Sequence, residues 1–533
     1  MLDVCILCAG IGSRVNFSDN FHKALLPINN IPAISHIIDS YPVDTKFVIA
    51  LGHNANLIRD YLSLTKKNLK VDYVYIRDYS GKESGPGATL LKCKKYLKGP
   101  FISHACDTII EKAIKTIKYD WIGVAKVSDK SSNFLRVVEK NRRVDSLSHN
   151  LTNRYSVFTG VAGIKSYKFF WKSLKEGLKN NIRKEMYYGF SQIIELNKMH
   201  VRKVKWHDTG TDSNYFATKK YLEKPRKLSS DPLVVYKENE CIYFENKKVI
   251  KLFQHKSLVE KKFKRASIIS TRVPPKVGMK GNYLYYNFVE GKMLNFVNEK
   301  LIFKNFLEDL KKNFWNLKKL NSYDRTKFSK DCKIFYKKKT YERVKKYMNL
   351  YSSDDKIKFI NNVKVDGIIN LLNRVNWEKI IEGIPVNFHG DLAPNNVIVN
   401  EKSSKFYLID WREAFGNNQK IGDIYYDLSK LYHAFIISQR IIPRKAYKVN
   451  YLSKNKVKIE FTRFNNLKNF TLILEEFIIK NGLDVEKLKL MSVLIFLNIA
   501  PLHEKEYAKL LFFAGKIFLQ RFISGNRYNL WKI

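Results

Sequence analysis

Two groups of residues on this chain of 533 residues have types and spacings suited to phosphate chemistry. The first is a glycine-rich turn with basic residues, which contains Ala9, Gly10, Gly12, Ser13 and Arg14 and is followed by Lys23. Positions without side chains let phosphate oxygens approach backbone N–H groups, so this turn suits attack on the α-phosphate of a nucleotide. The second group is Asp391, Asn396 and Asp410. Two carboxylates and an amide at this spacing suit transfer of a γ-phosphate to a hydroxyl.

A dinucleotide-binding fold is the main competing interpretation of the first turn. Its fingerprint needs a third glycine, where this chain has Val15, and an acidic residue about 20 positions further on, after a second strand. The sequence has neither feature. The dinucleotide fingerprint is therefore excluded.

Five separated segments extend the first group in order along the chain: residues 4–14, 22–27, 84–88, 100–107 and 206–211. Together they resemble the sugar-phosphate-type nucleotidyltransferase family over about residues 1–222, with His22 where the family has proline. The resemblance implies that Arg14 and Lys23 act on the nucleotide phosphates and that the loop with Gly85 and Gly87 reads the base. It further implies that two aspartates bind Mg²⁺, namely Asp107 and Asp208.

The chemistry of this family explains the need for two carboxylates. A phosphate that attacks another phosphate brings several negative charges together, and a bound Mg²⁺ neutralises them. Taken alone, Asp107 is typical of a turn at a strand end, and Asp208 of a turn capped with Gly210. Their joint occurrence with the glycine turn and Lys23 favours metal binding.

The second group is the most specific pattern in the chain. In kinase-type chemistry, an aspartate such as Asp391 accepts the proton of the attacking hydroxyl, while Asn396 and Asp410 hold Mg²⁺ on the ATP phosphates. With Gly390 after His389, the pattern resembles the aminoglycoside phosphotransferase and choline kinase superfamily over about residues 230–530. Two later aspartates, Asp423 and Asp427, are expected to be structural.

A small sheet lobe should precede this helical part if the resemblance holds. Residues 248–252 resemble the strand that carries the ATP lysine, which makes Lys251 the candidate and Glu260 its ion-pair partner. Residues 286–291 resemble the hinge between the lobes. The segment 234–250 has no glycine, so the usual glycine-containing loop over the phosphates is missing or altered.

The identity of the phosphorylated alcohol is left open by the sequence. Choline would need an aromatic cage, because a quaternary ammonium binds π faces and cannot donate hydrogen bonds. Four aromatic residues lie near the motifs: Trp411, Tyr425, Tyr426 and Tyr432. With 31 tyrosines and 34 phenylalanines in the chain, core packing is the expected role for most of them. A nearby acid, Glu413, would suit an amine or a sugar hydroxyl equally well.

Composition limits the class of protein. The net charge is +46, from 96 basic and 50 acidic side chains, but the lysines are spread along the chain and no nucleic-acid-binding motif accompanies them. Six cysteines are too few for a disulfide scaffold, and Cys5 and Cys8 in one strand should face opposite sides. We find no secretory signal or membrane-spanning segment, so a soluble, cytoplasmic protein is expected.

The pattern of apolar runs predicts how these residues are positioned. Short β-rich runs alternate with helices up to about residue 222, which predicts an α/β fold with a mixed, mostly parallel, Rossmann-like sheet. The polar stretch 223–232 suggests a boundary. We therefore expect a nucleotidyltransferase domain at 1–225 and a bilobal, protein-kinase-like α+β domain at 226–533, with its small lobe at about 233–292 and its helical lobe at about 293–533.

The combined interpretation is a bifunctional enzyme that depends on Mg²⁺. One domain would phosphorylate a small alcohol of the choline or ethanolamine type with ATP, and the other would transfer a nucleotidyl group, CMP from CTP or the equivalent from another nucleotide. The product would be an activated head group for a surface polysaccharide or lipid. The close alternative is a sugar or polyol kinase fused to its sugar-phosphate nucleotidyltransferase, and the distant one is a nucleic-acid-binding protein with decayed enzyme domains.

Overall fold

The computed structural model describes residues 2–12, 21–112, 114–126, 134–149, 156–222, 239–269 and 271–533. These residues form two compact units. The first unit comprises the described residues within Met1–Arg226, Val234–Val259 and Gly278–Tyr286. The second comprises the described residues within Glu260–Val277 and Asn287–Ile533.

The first unit is built on a sheet that, in the described ranges, has nine strands. Their spatial order is Lys70–Tyr75, Lys46–Leu51, Asp3–Cys8, Phe101–Ala105, Ser156–Ile164, Trp121–Ala125, His200–Lys203, Arg143–Ser148 and Arg136–Lys140. Six helices accompany it: Ala33–Asp39, Ala55–Thr65, Pro86–Cys93, Tyr167–Asn180, Ser191–Glu195 and Asp212–Leu222. The predicted α/β class is confirmed.

Alternation along the central strands explains why the sheet is covered on both faces. Val4 and Ile6 belong to one apolar cluster, and Cys5 belongs to the cluster on the opposite face. Cys8 lies in the first cluster, so Cys5 and Cys8 face opposite sides as predicted. All six cysteines are buried free thiols.

The sheet is less parallel than predicted. The four strands from Lys70–Tyr75 to Phe101–Ala105 pair in parallel, but Ser156–Ile164 pairs antiparallel with both of its neighbours. The edge hairpin of Arg136–Lys140 and Arg143–Ser148 is also antiparallel. Neighbouring strands are parallel or antiparallel depending on the end of the sheet at which the connecting segment re-enters it. The order of strands in the sequence does not show this.

Two short ribbons and a smaller sheet complete the first unit. The ribbons pair Pro27–Ile28 with Ile31–Pro32 and Thr108–Ile110 with Trp206–Asp208. The smaller sheet has the order Glu240–Glu245, Lys248–Phe253, Tyr283–Asn287 and Gly278–Lys280. The predicted strand at 233–236 lies outside the described residues.

The smaller sheet was predicted to be the small lobe of the second domain, but almost all of it belongs to the first unit. Its tyrosines are buried within that unit. Tyr243 and Tyr283 pack against the ring of Tyr61, with centroids 5.2 and 6.0 Å away. The Tyr243 hydroxyl donates to the Leu25 carbonyl at 2.6 Å, and the Tyr283 hydroxyl to the Leu57 carbonyl at 2.7 Å. These contacts join residues about 200 positions apart, which a boundary based on local composition does not detect.

The second unit is mainly helical. Its helices are Lys300–Asn313, Ser322–Lys333, Lys339–Leu350, Ile368–Asn373, Trp377–Ile381, Ile424–Ile436, Asn465–Lys480, Val485–Ile499 and Lys505–Ile523, and most of Lys256–Ile268 also belongs to it. No helix in the described ranges is both long enough and apolar enough to cross a bilayer.

Short strands connect the helices of the second unit. One sheet has the order Lys292–Met293, Val397–Asn400 and Lys405–Leu408, and another Val363–Lys364, Phe359–Ile360, Lys456–Phe461 and Tyr447–Ser453. Pro385–Val386 pairs with Gly422–Asp423. The long hairpin at 447–461 was not predicted, although the strict polar–apolar alternation of Lys456–Phe461 is typical of a strand.

Candidate active sites

The glycine turn of the first unit lies at the carboxyl end of the parallel strands. Asp3–Cys8 leads into Ala9 and Gly10, and its register neighbour Phe101–Ala105 leads into Asp107 two residues further on. Ligands of open α/β sheets bind at this edge, because the ends of adjacent parallel strands meet there. The register therefore brings the glycine turn and Asp107 together.

The backbone at the turn is arranged to stay open. The carbonyl of Ala9 accepts a hydrogen bond from His53 N–H at 3.0 Å. Gly10 is exposed, and a side chain built there would meet nothing within 4 Å. Gly12 has a φ of 81°, in the left-handed region that favours glycine. Two predicted members of this site, Ser13 and Arg14, lie outside the described residues.

His22 explains how the lysine is held where the related family has proline. The single 3₁₀ turn Lys23–Leu25 begins at His22, whose Nδ1 accepts the Ala24 N–H at 3.1 Å. Burial, together with the adjacent Lys23, lowers the pKa of His22 to about 3. The ring is therefore neutral at physiological pH and acts as an N-cap that orients Lys23.

The two predicted metal-binding aspartates converge on one point. A methyl group at Gly210 would lie 3.0 Å from Asp107 Oδ2 and 3.1 Å from Asp208 Oδ1, so these oxygens are no further apart than the sum of those distances. The Asp208 carboxylate is oriented by Gly210 N–H at 3.0 Å and by the side-chain amide of Asn214 at 2.6 Å. The Thr209 N–H and hydroxyl both donate to the Asp107 carbonyl, at 2.9 and 3.0 Å.

Lys23 joins this pair of carboxylates. Its Nζ lies 2.7 Å from Asp107 Oδ2, and both side chains are partly shielded from solvent. A cation held in such a position can stabilise charge that develops on phosphate oxygens. Sequence reasoning thus identified three residues, Lys23, Asp107 and Asp208, that the structure brings together.

The donor set suits a hard cation. Mg²⁺ is typically bound by one or two carboxylates, with substrate phosphates and waters as its remaining ligands. Asp107 and Asp208 meet that description, and the described residues contain no group of three or more His, Cys, Asp or Glu that could hold a metal by themselves. These two carboxylates fit a nucleotide-dependent Mg²⁺ site.

Gly85 and Gly87 have a packing role of their own at the start of helix Pro86–Cys93. A side chain at Gly85 would come within 2.4 Å of the Lys184 carbonyl, and one at Gly87 within 2.3 Å of the Glu185 carbonyl. Gly87 N–H donates to the Lys184 carbonyl at 2.8 Å. Close backbone approach therefore accounts for both glycines, and their contact with a nucleotide base stays a prediction.

In the second unit, the loop before Asp391 is held by a buried carboxylate. Both oxygens of Asp427 accept backbone N–H bonds at 2.7 Å, from His389 and from Gly390, and Trp315 Nε1 donates at 3.2 Å. Gly390 has a φ of 83°. Burial raises the pKa of Asp427 to about 6, although the two N–H donors oppose that rise. Its position inside the unit agrees with the structural role expected for it.

Asp391 is paired with a lysine that sequence reasoning missed. Lys430 Nζ lies 2.7 Å from Asp391 Oδ1. Burial disfavours the ammonium of Lys430, but the nearby Asp391 carboxylate and Tyr426 raise its pKa overall. The side-chain amide of Asn396 donates to the Asp391 carbonyl at 2.8 Å. One signal was available: Lys430 is a charged residue in helix Ile424–Ile436, whose other residues are mostly apolar.

The hairpin of Val397–Asn400 and Lys405–Leu408 brings the remaining predicted metal ligands together. Val397 pairs with Leu408, and Ile409 N–H donates to the Asn396 carbonyl at 2.9 Å. Asn396 and Asp410 therefore occupy the same end of the hairpin. Asp410 has a φ of 61°, which an ordinary residue adopts only when its surroundings hold it there. An amide and a carboxylate at one hairpin end suit Mg²⁺.

Helix Lys256–Ile268 supports these loops through two basic residues. Lys262 Nζ donates to the Trp411 carbonyl at 2.6 Å, and Trp411 Nε1 donates back to the Lys262 carbonyl at 2.8 Å. Arg265 is fully buried and donates to the carbonyls of Phe388, Arg412 and Gln419. Asp423 is also fully buried and accepts from Tyr336 Oη at 2.7 Å, as expected for a structural residue.

The predicted ATP lysine has a partner on the adjacent strand. Lys251 is almost fully buried in Lys248–Phe253, and its Nζ lies 3.2 Å from Glu240 Oε1. Glu240 begins the paired strand Glu240–Glu245 and was not singled out in the sequence. Glu260, the predicted partner, lies on helix Lys256–Ile268.

Comparison with known proteins relates the N-terminal part of the chain to nucleotidyltransferases. No protein-family model matches. The chain is similar to Bifunctional protein GlmU of Methanococcus maripaludis strain S2, with 27% identity over 227 residues, or 39% of this chain and 51% of the relative. It is also 27% identical over 237 residues to the protein of that name from Methanococcus vannielii, or 42% of this chain and 55% of the relative. The chain thus spans about half the length of the curated relatives it matches.

Solved structures with some similarity include two enzymes that use CTP according to their names. One is the CTP:phosphocholine cytidylyltransferase of Streptococcus pneumoniae, with 15% identity, a TM-score of 0.36, and 42% of this chain and 99% of that chain covered. The other is the inositol-1-phosphate CTP transferase of T. maritima, with 14% identity, a TM-score of 0.35, and 42% and 97% covered. At this level of similarity, function has to be argued from the residues of each site.

Proposed function

We propose that the chain is a bifunctional transferase in which the second unit phosphorylates a small alcohol with ATP and the first unit couples that phosphate to a nucleotide. The observation that carries the proposal is a repeated arrangement. In each unit a carboxylate is paired with a lysine at 2.7 Å, Asp107 with Lys23 and Asp391 with Lys430. Further oxygen ligands lie beside each pair, which is what phosphoryl and nucleotidyl transfer require of a protein.

In the kinase reaction, Asp391 would accept the proton of the alcohol as its oxygen attacks the γ-phosphorus. The bond between the γ-phosphorus and the bridging oxygen breaks, and ADP leaves. Lys430 holds the Asp391 carboxylate in place through its 2.7 Å contact. Asn396 and Asp410 would hold Mg²⁺ on the ATP phosphates, where it neutralises charge on the transferred group. The predicted ATP lysine, Lys251, belongs to the first unit and is left out of this proposed site.

In the nucleotidyl transfer, an oxygen of the phosphorylated alcohol would attack the α-phosphorus, and pyrophosphate leaves. The attacking phosphate is already ionised, so no general base is needed. Asp107 and Asp208 would hold Mg²⁺, which screens the charges of the two phosphate groups. Lys23 would stabilise the departing pyrophosphate, and phosphate oxygens could approach the exposed backbone at Gly10 and accept a hydrogen bond from its N–H group.

The proposal extends to the identities of the nucleotide and of the product. CTP as the nucleotide, and an activated head group for a surface polysaccharide or lipid as the product, follow from the resemblance to paired kinase and nucleotidyltransferase enzymes. A sugar or polyol kinase joined to its sugar-phosphate nucleotidyltransferase would use the same residues. The order of the two reactions is the same in both cases.

The test uses two single variants of the full-length protein, supplied with ATP, CTP and the other nucleoside triphosphates, Mg²⁺ and a panel of alcohols, with products identified by mass. Asp391→Asn should abolish formation of the phosphorylated alcohol but leave conversion of a supplied phosphoalcohol to the nucleotide conjugate. Asp107→Asn should have the reverse effect. Each variant is the folding control for the other. If either substitution removed both activities, or neither, the proposal would be wrong.

A further inference from the structure

Three basic side chains interact with Asp391 in the second unit, namely Lys339, Arg412 and Lys430, and a fourth, Arg343, lies one helical turn after Lys339. The kinase chemistry described above uses only one of the four. They form what we call the basic cluster: Lys339, Arg343, Arg412 and Lys430. Lys430 Nζ is 2.7 Å from Asp391 Oδ1. Lys339 Nζ is 3.9 Å from the ring centroid of Phe335, and Arg412 Cζ is 5.1 Å from the same centroid. The two cations are therefore no further apart than the sum of these distances.

The basic cluster is assembled from three segments that are distant in sequence. Arg412 follows Asp410 by two residues, and Lys430 comes from helix Ile424–Ile436. Lys339 and Arg343 lie one turn apart in helix Lys339–Leu350. That helix follows directly on a π-helical turn, Ile334–Lys338. Turns of this kind are rare and are frequent at functional sites.

In the described part of the chain, carboxylates oppose only some members of the cluster. Arg412 is opposed electrostatically by Asp391 and Glu413, and Arg343 by the exposed Glu342. Burial, followed by the charges of Arg412, Lys430 and Arg343, lowers the pKa of Lys339 well below its usual value. Like charges gathered in a partly shielded place are unfavourable unless an anion joins them. Nearby acidic groups raise the pKa values of Arg412 and Lys430, whereas the pKa values of Lys339 and Arg343 are lowered, so these last two are the members whose charge a bound anion would stabilise most.

The aromatic rings beside the cluster do not form a cage for a quaternary ammonium. The rings of Phe335 and Tyr426 are already faced by the protein's own Lys339, at 3.9 and 5.3 Å. Trp411 is buried with its indole N–H on the Lys262 carbonyl. The other two predicted aromatic residues make contacts elsewhere: Tyr425 Oη accepts from Asp484 N–H, and Tyr432 Oη donates to Glu475.

We infer that the alcohol phosphorylated by the second unit is an anion, which carries a carboxylate or a phosphate group in addition to its reacting hydroxyl. This inference rests on the proposed kinase function and replaces choline as its substrate. A physical reason supports the arrangement. An anionic acceptor would be repelled by the γ-phosphate of ATP beside Asp391, and the basic cluster offsets that repulsion.

The cluster is better placed for the acceptor than for ATP. The groups proposed to hold Mg²⁺ on the ATP phosphates are Asn396 and Asp410, at one end of the hairpin formed by Val397–Asn400 and Lys405–Leu408. Lys339 and Arg343, in particular, lie in a helix that contributes nothing to those ligands.

The first experiment compares matched alcohols with the full-length protein, ATP and Mg²⁺, by ADP release and product mass. The set is glycerol, glycerol 3-phosphate, glycerate and choline. We expect glycerol 3-phosphate or glycerate to have a kcat/KM about 100-fold above those of glycerol and choline, because a charge-assisted contact made by the acceptor is missing in the neutral alcohol. The two anions distinguish a phosphate from a carboxylate as the recognised group.

The second experiment tests the cluster itself. Arg343→Gln should raise the KM for the anionic alcohol roughly 10- to 100-fold, with the KM for ATP changed less than about 2-fold, because one charge-assisted contact to the acceptor is lost. Lys345→Gln is the matched control, since Lys345 is an exposed lysine of the same helix. It should leave both constants unchanged.

The outcomes separate this inference from the kinase proposal. Turnover of choline or glycerol at least as efficient as that of the anions would overturn the inference and leave the kinase function standing. An Arg343→Gln effect confined to the KM for ATP would also overturn it. No ADP release with any alcohol would instead contradict the kinase function itself.

Discussion

A lysine lies against the carboxylate that matters most in each candidate site, and this contact defines the chemistry at the residue scale. Lys23 and Lys430 each approach an aspartate to 2.7 Å. An ammonium group at that distance stabilises the negative charge of its partner and fixes its position. In the first unit the partner would hold a metal, whereas in the second it would accept a proton.

The convergence of Asp107 and Asp208 on Gly210 leads to a prediction about a single methyl group. In Gly210→Ala the new carbon would lie 3.0 and 3.1 Å from the two carboxylate oxygens, which is closer than ordinary contact, so both must shift by a few tenths of an ångström. Since Mg²⁺ demands near-ideal geometry, we expect the rate of nucleotidyl transfer to fall by about 10-fold or more. Pyrophosphate release measures it.

The control for this substitution is Gly99→Ala, because a methyl group at Gly99 meets nothing within 4 Å. It should keep full nucleotidyl transfer. The kinase reaction should be normal in both variants. Undiminished transfer in Gly210→Ala would mean that the two carboxylates do not act on a common metal ion.

At the element scale, helix Ile424–Ile436 positions the second site with two side chains that lie one turn apart on the same face. Asp427 holds the loop at His389 and Gly390, and Lys430 holds Asp391 one turn later. Helix Lys256–Ile268 secures the same region through the carbonyl contacts of Arg265. The loop that precedes Asp391 is therefore supported by buried polar contacts, whose loss is costly because their partners are left unsatisfied.

The raised pKa of Asp427 predicts how this support depends on pH. Its pKa is about 6 in the folded protein against an ordinary value of 3.8, so the folded state binds this proton more tightly. The stability that results is fully present below about pH 3.8 and is lost as the pH rises through 6. Over that window the free energy of unfolding should decrease, relative to the variant Asp427→Asn, by about 3 kcal/mol.

Denaturant unfolding between pH 4 and 7 measures this difference, with hydrogen exchange of the His389 and Gly390 amides to identify the transition of the second unit. Asp427→Asn is expected to be less stable at every pH, because it replaces an acceptor of two N–H bonds, but the informative quantity is the change of the difference with pH. Glu476→Gln, at an exposed position, should follow the wild type. A constant difference between wild type and Asp427→Asn would refute the assignment.

At the scale of the whole molecule, the described residues form two compact units with one candidate site in each. The proposed product of one unit is the substrate of the other. This relation leads to a prediction that does not depend on how the units are arranged.

An equimolar mixture of Asp391→Asn and Asp107→Asn should convert alcohol, ATP and CTP to the nucleotide conjugate, because the phosphoalcohol released by one protein can be used by the other. Each variant alone should form none. Mass spectrometry of the products, with the phosphoalcohol added as a positive control, follows the reaction. A mixture that stays inactive while both half-reactions proceed would contradict release of the intermediate.

Much of the fold was accessible from local patterns. The α/β class of the first unit followed from short apolar runs such as Lys46–Leu51, which are typical of buried strands. Residues 248–252, interpreted as a strand, lie in Lys248–Phe253. The hairpin Tyr447–Ser453 with Lys456–Phe461 was missed, although its alternation is visible in the sequence. The assignment of the smaller sheet was not accessible, because the contacts of Tyr243 and Tyr283 link residues about 200 positions apart.

The sequence by itself indicated the two kinds of chemistry that we propose, because glycine turns and carboxylates at fixed spacing are local patterns that suit phosphates. It identified Asp107, Asp208 and Asp391 without any knowledge of their surroundings. Only the tertiary structure decided their partners. Lys430 and the basic cluster come from helices far along the chain, and a charge becomes meaningful only when burial and neighbouring charges are known. Electrostatic interactions act through space, so the sequence alone did not show this cluster. The cluster is the reason why we infer an anionic alcohol in place of the cationic one suggested by the sequence.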